Sequence, residues 1–137
     1  MIDHVSIGVS DLAKARDFYD QVLKALGQSR SRDIDIPGQG MVAHGYGPDA
    51  HGEEAIFWIG VPDHLDAKAN RSGGVHLAFK AKTRAAVDAF YAAAIGNGAA
   101  DNGKPGLRPH YHAGYYGAFV FDPDGNKLEA CCHHPES

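Results

Sequence analysis

Cysteine is scarce in this sequence: only Cys131 and Cys132 occur, and they are neighbours. Adjacent strand residues point to opposite faces, so the two make poor disulfide partners and the chain must fold without covalent staples. A long apolar run is missing as well. Nothing approaches the roughly 20 residues that cross a bilayer as a helix. The start, Met1 to Gly8, has no basic region followed by a cleavable apolar stretch. These absences predict a cytoplasmic protein with no membrane partner. Basic excess is absent too: 13 Lys and Arg stand against 17 Asp and Glu, for a net charge of −4, and the basic residues are scattered. Such a chain has no field to attract a phosphate backbone, which excludes nucleic acid as an expected partner.

What is present suffices for one domain. With 137 residues and 44% apolar content the chain can bury a core without disulfides or structural metals. The nine histidines are the unusual part of the composition. His44, His51 and His64 sit among Gly, Pro and Asp and read as solvated loop residues. His4, His76 and the group His110, His112, His133 and His134 carry more information.

The sequence repeats itself. His4-Val5 opens a stretch ending in Phe18-Tyr19, and His76-Leu77 opens one of equal length ending in Phe90-Tyr91. Between them, Asp11 and Thr83 are helix-start residues. Leu12, Ala15, Phe18, Tyr19, Val22, Leu23 and Leu26 follow the spacing of one buried helix face, and Gly27 is placed to end it. Ala86, Val87, Phe90, Tyr91 and Ala94 repeat the stripe. The Phe-Tyr pairs read as core. Strands are predicted before each helix, Ile2 to Val9 and Gly74 to Lys80, and after it. The later ones are Ser29 to Ile34, Met41 to Tyr46 and Glu54 to Val61 in one half, and Ala113 to Phe121 and Lys127 to His133 in the other. Asp101 to Pro109 reads as a Gly and Pro loop, and Asp122-Pro123-Asp124-Gly125 as a tight turn. The pattern is βαβββ twice: module one 1–62, a linker over 63–72, and module two 73–134.

Strand alternation sorts these residues onto faces. Val5, Ile7 and Val9 form an apolar face opposite His4; Val75, Leu77 and Phe79 do the same opposite His76; Leu128, Ala130 and Cys132 lie opposite Glu129, Cys131 and His133. The apolar faces must meet the helices, so His4, His76 and Glu129 project away from them. Two imidazoles and one carboxylate on one face suit a divalent metal: Fe, Mn, Ni, Co or Zn.

Four segments resemble those of the vicinal oxygen chelate superfamily of glyoxalases, bleomycin resistance proteins and extradiol dioxygenases. They are Ile2-Asp3-His4-Val5-Ser6-Ile7-Gly8-Val9, the helix with Phe18-Tyr19, Gly74-Val75-His76-Leu77-Ala78-Phe79, and Asp122-Pro123-Asp124-Gly125-Asn126-Lys127-Leu128-Glu129. The resemblance implies a single α+β domain over 1–137. In it, two βαβββ modules form an open, cup-shaped mixed sheet with helices on the outer face and a metal held by His4, His76 and Glu129. Related glyoxalases place a fourth ligand, a glutamate, on the last strand of module one. Here Trp58 falls at that position, and an indole cannot ligate a metal. A four-ligand glyoxalase I is therefore disfavoured, while three-ligand sites of dioxygenases and thiol transferases stay open.

The segment from Arg108 to Gly117 supplies the remaining site residues. His112, Tyr115 and Tyr116 are candidate acids or bases, and Arg108, His110 and Trp58 candidate substrate contacts. Cys131, beside Glu129, reads as filler because a neighbouring carboxylate opposes thiolate formation. Two functions stand open: a metal-dependent enzyme acting on a small oxygen-chelating substrate as dioxygenase, lyase, isomerase or thiol transferase, and a non-catalytic binding protein of the bleomycin-resistance type. A metal site without catalysis is a third. Paired cups of the superfamily imply a homodimer.

Overall fold

The computed structural model describes residues 1–48, 55–61 and 75–134. The repeat is carried into the backbone. The first half runs β1 (Val5–Gly8), α1 (Leu12–Lys24), β2 (Ser29–Ile36), β3 (Gly40–Gly47) and β4 (Phe57–Gly60). The second runs β5 (Leu77–Lys80), α2 (Arg84–Gly96), β6 (Ala100–Leu107), β7 (Tyr116–Phe121) and β8 (Lys127–Cys132). The offset between His4 and His76 also separates the first residues of the two helices, and the last. The expected linker 63–72, Glu54, Gly74, His51 and His64 lie outside the described residues.

Each half forms an open four-stranded mixed sheet, in the order β1-β4-β3-β2 and β5-β8-β7-β6. The outer pairs β1 with β4 and β5 with β8 are parallel, and the other neighbours antiparallel. A parallel pair needs a long crossover, which α1 with β2 and β3 supplies in the first half. By contact density the chain divides into two compact units, Met1–Asp20 with Gly27–Asn70, and Gln21–Leu26 with Arg71–Ser137. No helix among the described residues is long and apolar enough to cross a membrane.

Both predicted helix starts are capped. Asp11 Oδ1 accepts from Lys14 N–H at 3.1 Å, and Thr83 Oγ1 from Ala86 N–H at 3.0 Å. Each bond satisfies a donor that the first helical turn leaves unpaired. Past the end of α1, Gly27 takes a positive φ of 75°, which a side chain would oppose. The α1 stripe is buried as its spacing requires: Phe18 and Tyr19 are 2% and 0% exposed. Tyr19 lies 5.1 Å from the Phe57 ring and 6.4 Å from Tyr46, so Phe57 and Tyr46 face the helix.

Two expectations need correction. Asp101 to Pro109 is not a loop: Ala100–Leu107 forms β6. The Gly and Pro content is tolerated because β6 is an edge strand, and its register against β7 shifts between Asp101 and Gly103 and again between Gly103 and Gly106. His44 is not a solvated loop residue. It lies on β3, 2% exposed, with Nδ1 2.5 Å from Asp33 Oδ1 on β2. Around this pair Arg30 contacts Asp33 and Asp20, and the Tyr46 hydroxyl donates to Asp20 at 2.9 Å. Gly and Asp neighbours in the sequence hid a strand whose polar groups are paired laterally.

That network makes an acid-sensitive element. Burial raises the Asp33 pKa, but the His44 hydrogen bond, the His44 charge and the Arg30 contacts outweigh it, leaving Asp33 below the ordinary carboxylate range. Asp33 therefore contributes stability that is complete above its unfolded pKa of about 4 and is lost as pH falls through the lower folded value. In urea titrations at several pH values, Asp33→Asn should flatten the acid limb of stability. An unchanged limb would assign acid sensitivity elsewhere.

Candidate functional site

The second sheet separates its two faces sharply. On β8, Leu128, Ala130 and Cys132 are 0% exposed and form the face on which α2 packs. Alternation turns Lys127, Glu129 and Cys131 to the opposite face. Their β7 partners Phe121, Phe119 and Gly117 share that face, as does Ala78, the β5 partner of Glu129.

Glu129 is the centre of this surface. It is 2% exposed, and a buried carboxylate requires partners for both oxygens. Oε2 lies 3.0 Å from His76 Nε2, and Oε1 accepts a hydrogen bond from the Tyr115 hydroxyl. Gly117 creates the room: a Cβ there would lie 3.2 Å from the Tyr115 ring and 3.3 Å from Glu129 Oε1. Burial, then the bond to Glu129, pushes the Tyr115 pKa far above the usual phenol range. Cys131 is also raised, first by burial and only secondarily by the Glu129 charge. Desolvation, rather than the neighbouring carboxylate expected from the sequence, is the larger cause of the opposition to thiolate.

A second group adjoins Tyr115. Gly114 N–H donates to His112 Nδ1 at 3.1 Å, so His112 carries its proton on Nε2. That nitrogen is 2.9 Å from His133 Nδ1, which must accept, leaving the His133 proton on Nε2, 3.9 Å from Cys131 Sγ. One backbone amide thus sets the tautomer of two rings.

The other predicted residues are dispersed. Tyr116 points to the helix side, donating to Asp88 of α2 at 2.7 Å, away from Glu129. His110 is exposed with its ring against Tyr111. Arg108 lies over Phe119, 5.6 Å from the ring centroid. Phe119 and Lys127 were not among the sequence candidates; Lys127 shares the parity of Glu129 on β8, whereas only the β7–β8 register brings Phe119 beside it. In the first unit, His4 sits just before β1, its side chain 53% exposed and its Nδ1 2.6 Å from Asp3 Oδ1. Trp58 pairs with Ser6 on β4 as Glu129 pairs with Ala78 on β8, so the two occupy equivalent positions of the repeat. Its ring covers Gly45 on the face opposite Phe57, and Nε1 donates to Ala55 O at 3.2 Å.

His76 and Glu129 are of the donor types that divalent ions take. Two ligand atoms about 2.1 Å from one ion and roughly 90° apart lie about 3.0 Å from each other, the spacing a metal needs from adjacent ligands. His76 Nε2 and Glu129 Oε2 are 3.0 Å apart, a hydrogen-bond distance that two adjacent ligands would also have. Among the described residues, no three His, Cys, Asp or Glu side chains form a ready metal cluster. His4 has the orienting carboxylate that metal-binding imidazoles use.

A model of the Glyoxalase/Bleomycin resistance protein/Dioxygenase superfamily matches residues 1–130. Among curated proteins, none matches the chain. A solved glyoxalase/bleomycin resistance protein from Albidiferax ferrireducens T118 is 31% identical, with a TM-score of 0.75 over 95% of this chain and 97% of that one. A glyoxalase/bleomycin resistance protein/dioxygenase family enzyme from Burkholderia phytofirmans PsJN shares the fold at 21% identity and TM-score 0.68, over 96% and 98% of the two chains. So does the fosfomycin resistance protein FosX from Listeria monocytogenes, at 14% identity and TM-score 0.64, over 96% and 92%. The twofold βαβββ repeat, the shared strand order and these likenesses lead to one conclusion: the chain belongs to the Glyoxalase/Bleomycin resistance protein/Dioxygenase superfamily.

Proposed function

We propose that the protein is a metal-dependent enzyme acting on a small oxygen-chelating substrate, with His76 and Glu129 as ligands of a divalent ion and Tyr115 as the adjacent proton donor. The observation that carries the reading is Glu129, a buried carboxylate held between an imidazole and a phenol at ligand spacing. His4 enters as third ligand from the sequence repeat alone. Fe, Mn, Ni, Co or Zn suits this donor set.

A divalent ion bound there would act as a Lewis acid, stabilising negative charge on substrate oxygens. The chain's own groups do the rest. Glu129 is fixed in orientation by the Tyr115 hydroxyl, which removes side-chain freedom before substrate arrives. Tyr115 stays a phenol at neutral pH, so its Oη offers a proton or hydrogen bond rather than a negative charge. The roles of His112 and Arg108 belong to the same reading, as second proton group and substrate contact. A non-catalytic binding protein would need no phenol at this place, and Tyr115 favours the enzyme.

The test is elemental analysis of untagged protein. One equivalent of a transition metal per chain is expected, and His76→Ala should reduce it to background. Metal content unchanged by that substitution would overturn the assignment. The homodimer implied by the resemblance is proposed alongside it. Sedimentation should then give twice the 14.6 kDa chain mass; a monomer at micromolar concentration would refute it.

A further inference from the structure

The Glu129 face of the second sheet carries positive charge whose ligand the metal reading leaves unspecified. Arg108 Cζ lies 5.6 Å, and Lys127 Nζ 5.5 Å, from the centroid of one ring, Phe119. Phe119 is the cross-strand partner of Glu129, and its ring is 6.2 Å from that of His76. Among the described residues neither cation is in an ion pair. Two like charges on one half-buried ring repel each other, and the ring's quadrupole offsets this only in part.

Arg108 is held in place rather than left to swing in solvent. Its Nη2 donates to Lys104 O at 2.8 Å and its Nη1 to Leu107 O at 3.3 Å. Two glycines of β6 clear the space: a Cβ on Gly106 would come within 3.1 Å of Nη1, and one on Gly103 within 3.3 Å of Nη2. A guanidinium has five N–H donors, so these two bonds leave a fork available to an oxyanion. This gives the Gly and Pro content of β6 a purpose: a bulged edge strand that seats a cation.

We infer that Arg108 and Lys127, both gathered over the Phe119 ring, bind an anionic group of the ligand, a carboxylate or phosphoryl oxyanion, beside the His76–Glu129 pair. The anion would relieve the repulsion between the two cations and use the preset guanidinium fork, with charge-assisted hydrogen bonds stronger than neutral ones. That this anion is one end of the substrate rests on the metal-enzyme reading. The anion site itself does not. The substrate class becomes a small organic acid or phosphorylated compound whose other oxygens reach the His76–Glu129 end.

The test uses amide and arginine side-chain NMR of the full chain, titrated with inorganic phosphate and, separately, propionate at constant ionic strength. Saturable shifts at Gly103, Gly106, Phe119 and the Arg108 Nε–H are expected with at least one probe. Arg108→Gln and Lys127→Met should each weaken binding about ten-fold or more. Gly106→Ala keeps every charge but displaces the guanidinium, and should weaken it too. His76→Ala, which tests the metal reading, should weaken anion binding clearly less than Arg108→Gln, with any loss passing through its ring contact to Phe119. Non-saturable or scattered shifts in a folded protein, or equal affinity in both charge variants, would overturn the inference. So would a loss in His76→Ala as large as in Arg108→Gln, because the anion would then sit on the metal ligands.

Discussion

Glu129→Ala is expected to abolish stoichiometric metal binding and to lower stability at the same time, whereas Glu129→Gln should do only the first. Removing the carboxylate takes away a metal ligand. Even partners that merely orient a ligand cost about 10–100-fold in metal affinity when lost, so the loss here should exceed about a hundred-fold. The alanine also leaves the Tyr115 hydroxyl and His76 Nε2 without the partner each has in the folded protein. His76 is open to water, whereas Tyr115 is half-buried, so its hydroxyl should cost toward the low end of the range of about 1–3 kcal/mol for an unsatisfied buried group. Glutamine keeps the volume and an oxygen for Tyr115, so its denaturation midpoint should stay near that of the parent while its metal content falls. Retained metal in both variants would remove Glu129 from the site and with it the proposed function.

The largest effect on stability is expected from Tyr19→Ala. Tyr19 is 0% exposed, 5.0 Å edge-on to Phe18, 5.1 Å from Phe57 and 6.4 Å from Tyr46, so truncation leaves a cavity among three aromatic rings. Large-to-small replacement of a buried aromatic costs about 3–5 kcal/mol. Its repeat equivalent Tyr91 is half-buried and hydrogen-bonded to Asp101, so Tyr91→Ala should cost a small fraction of that. Denaturant midpoints of the two variants measure the difference directly. Equal losses would mean that the two Phe-Tyr pairs do the same work, as their sequences alone suggest.

The asymmetry shows what periodicity can and cannot carry. Phe18, Tyr19, Phe90 and Tyr91 follow one helical spacing, and spacing predicts which side of a helix turns inward. How deeply Tyr91 is covered depends on β6, whose Gly and Pro residues hid it as a strand. An edge strand with bulges needs neither alternation nor strong propensity, because half its backbone groups face no partner. His44 went unrecognised for a related reason. Its partner Asp33 is remote in sequence and adjacent only through the β2–β3 register.

Of the candidate site, the sequence alone determined the parity that turns His76 and Glu129 to one face, while the strand register set Trp58 opposite Ser6 where Glu129 stands opposite Ala78. The parity follows from the fixed two-residue period of a strand, a local property of the chain. Only the tertiary structure decided which of the neighbouring polar residues join them. Tyr115 reaches Glu129 because Gly117 leaves space, while Tyr116, one residue on, turns to Asp88 on the helix side. Arg108 is seated by two glycines and two carbonyls of a bulged strand. Such choices depend on distances between strands brought together by folding, and no spacing along the sequence encodes them.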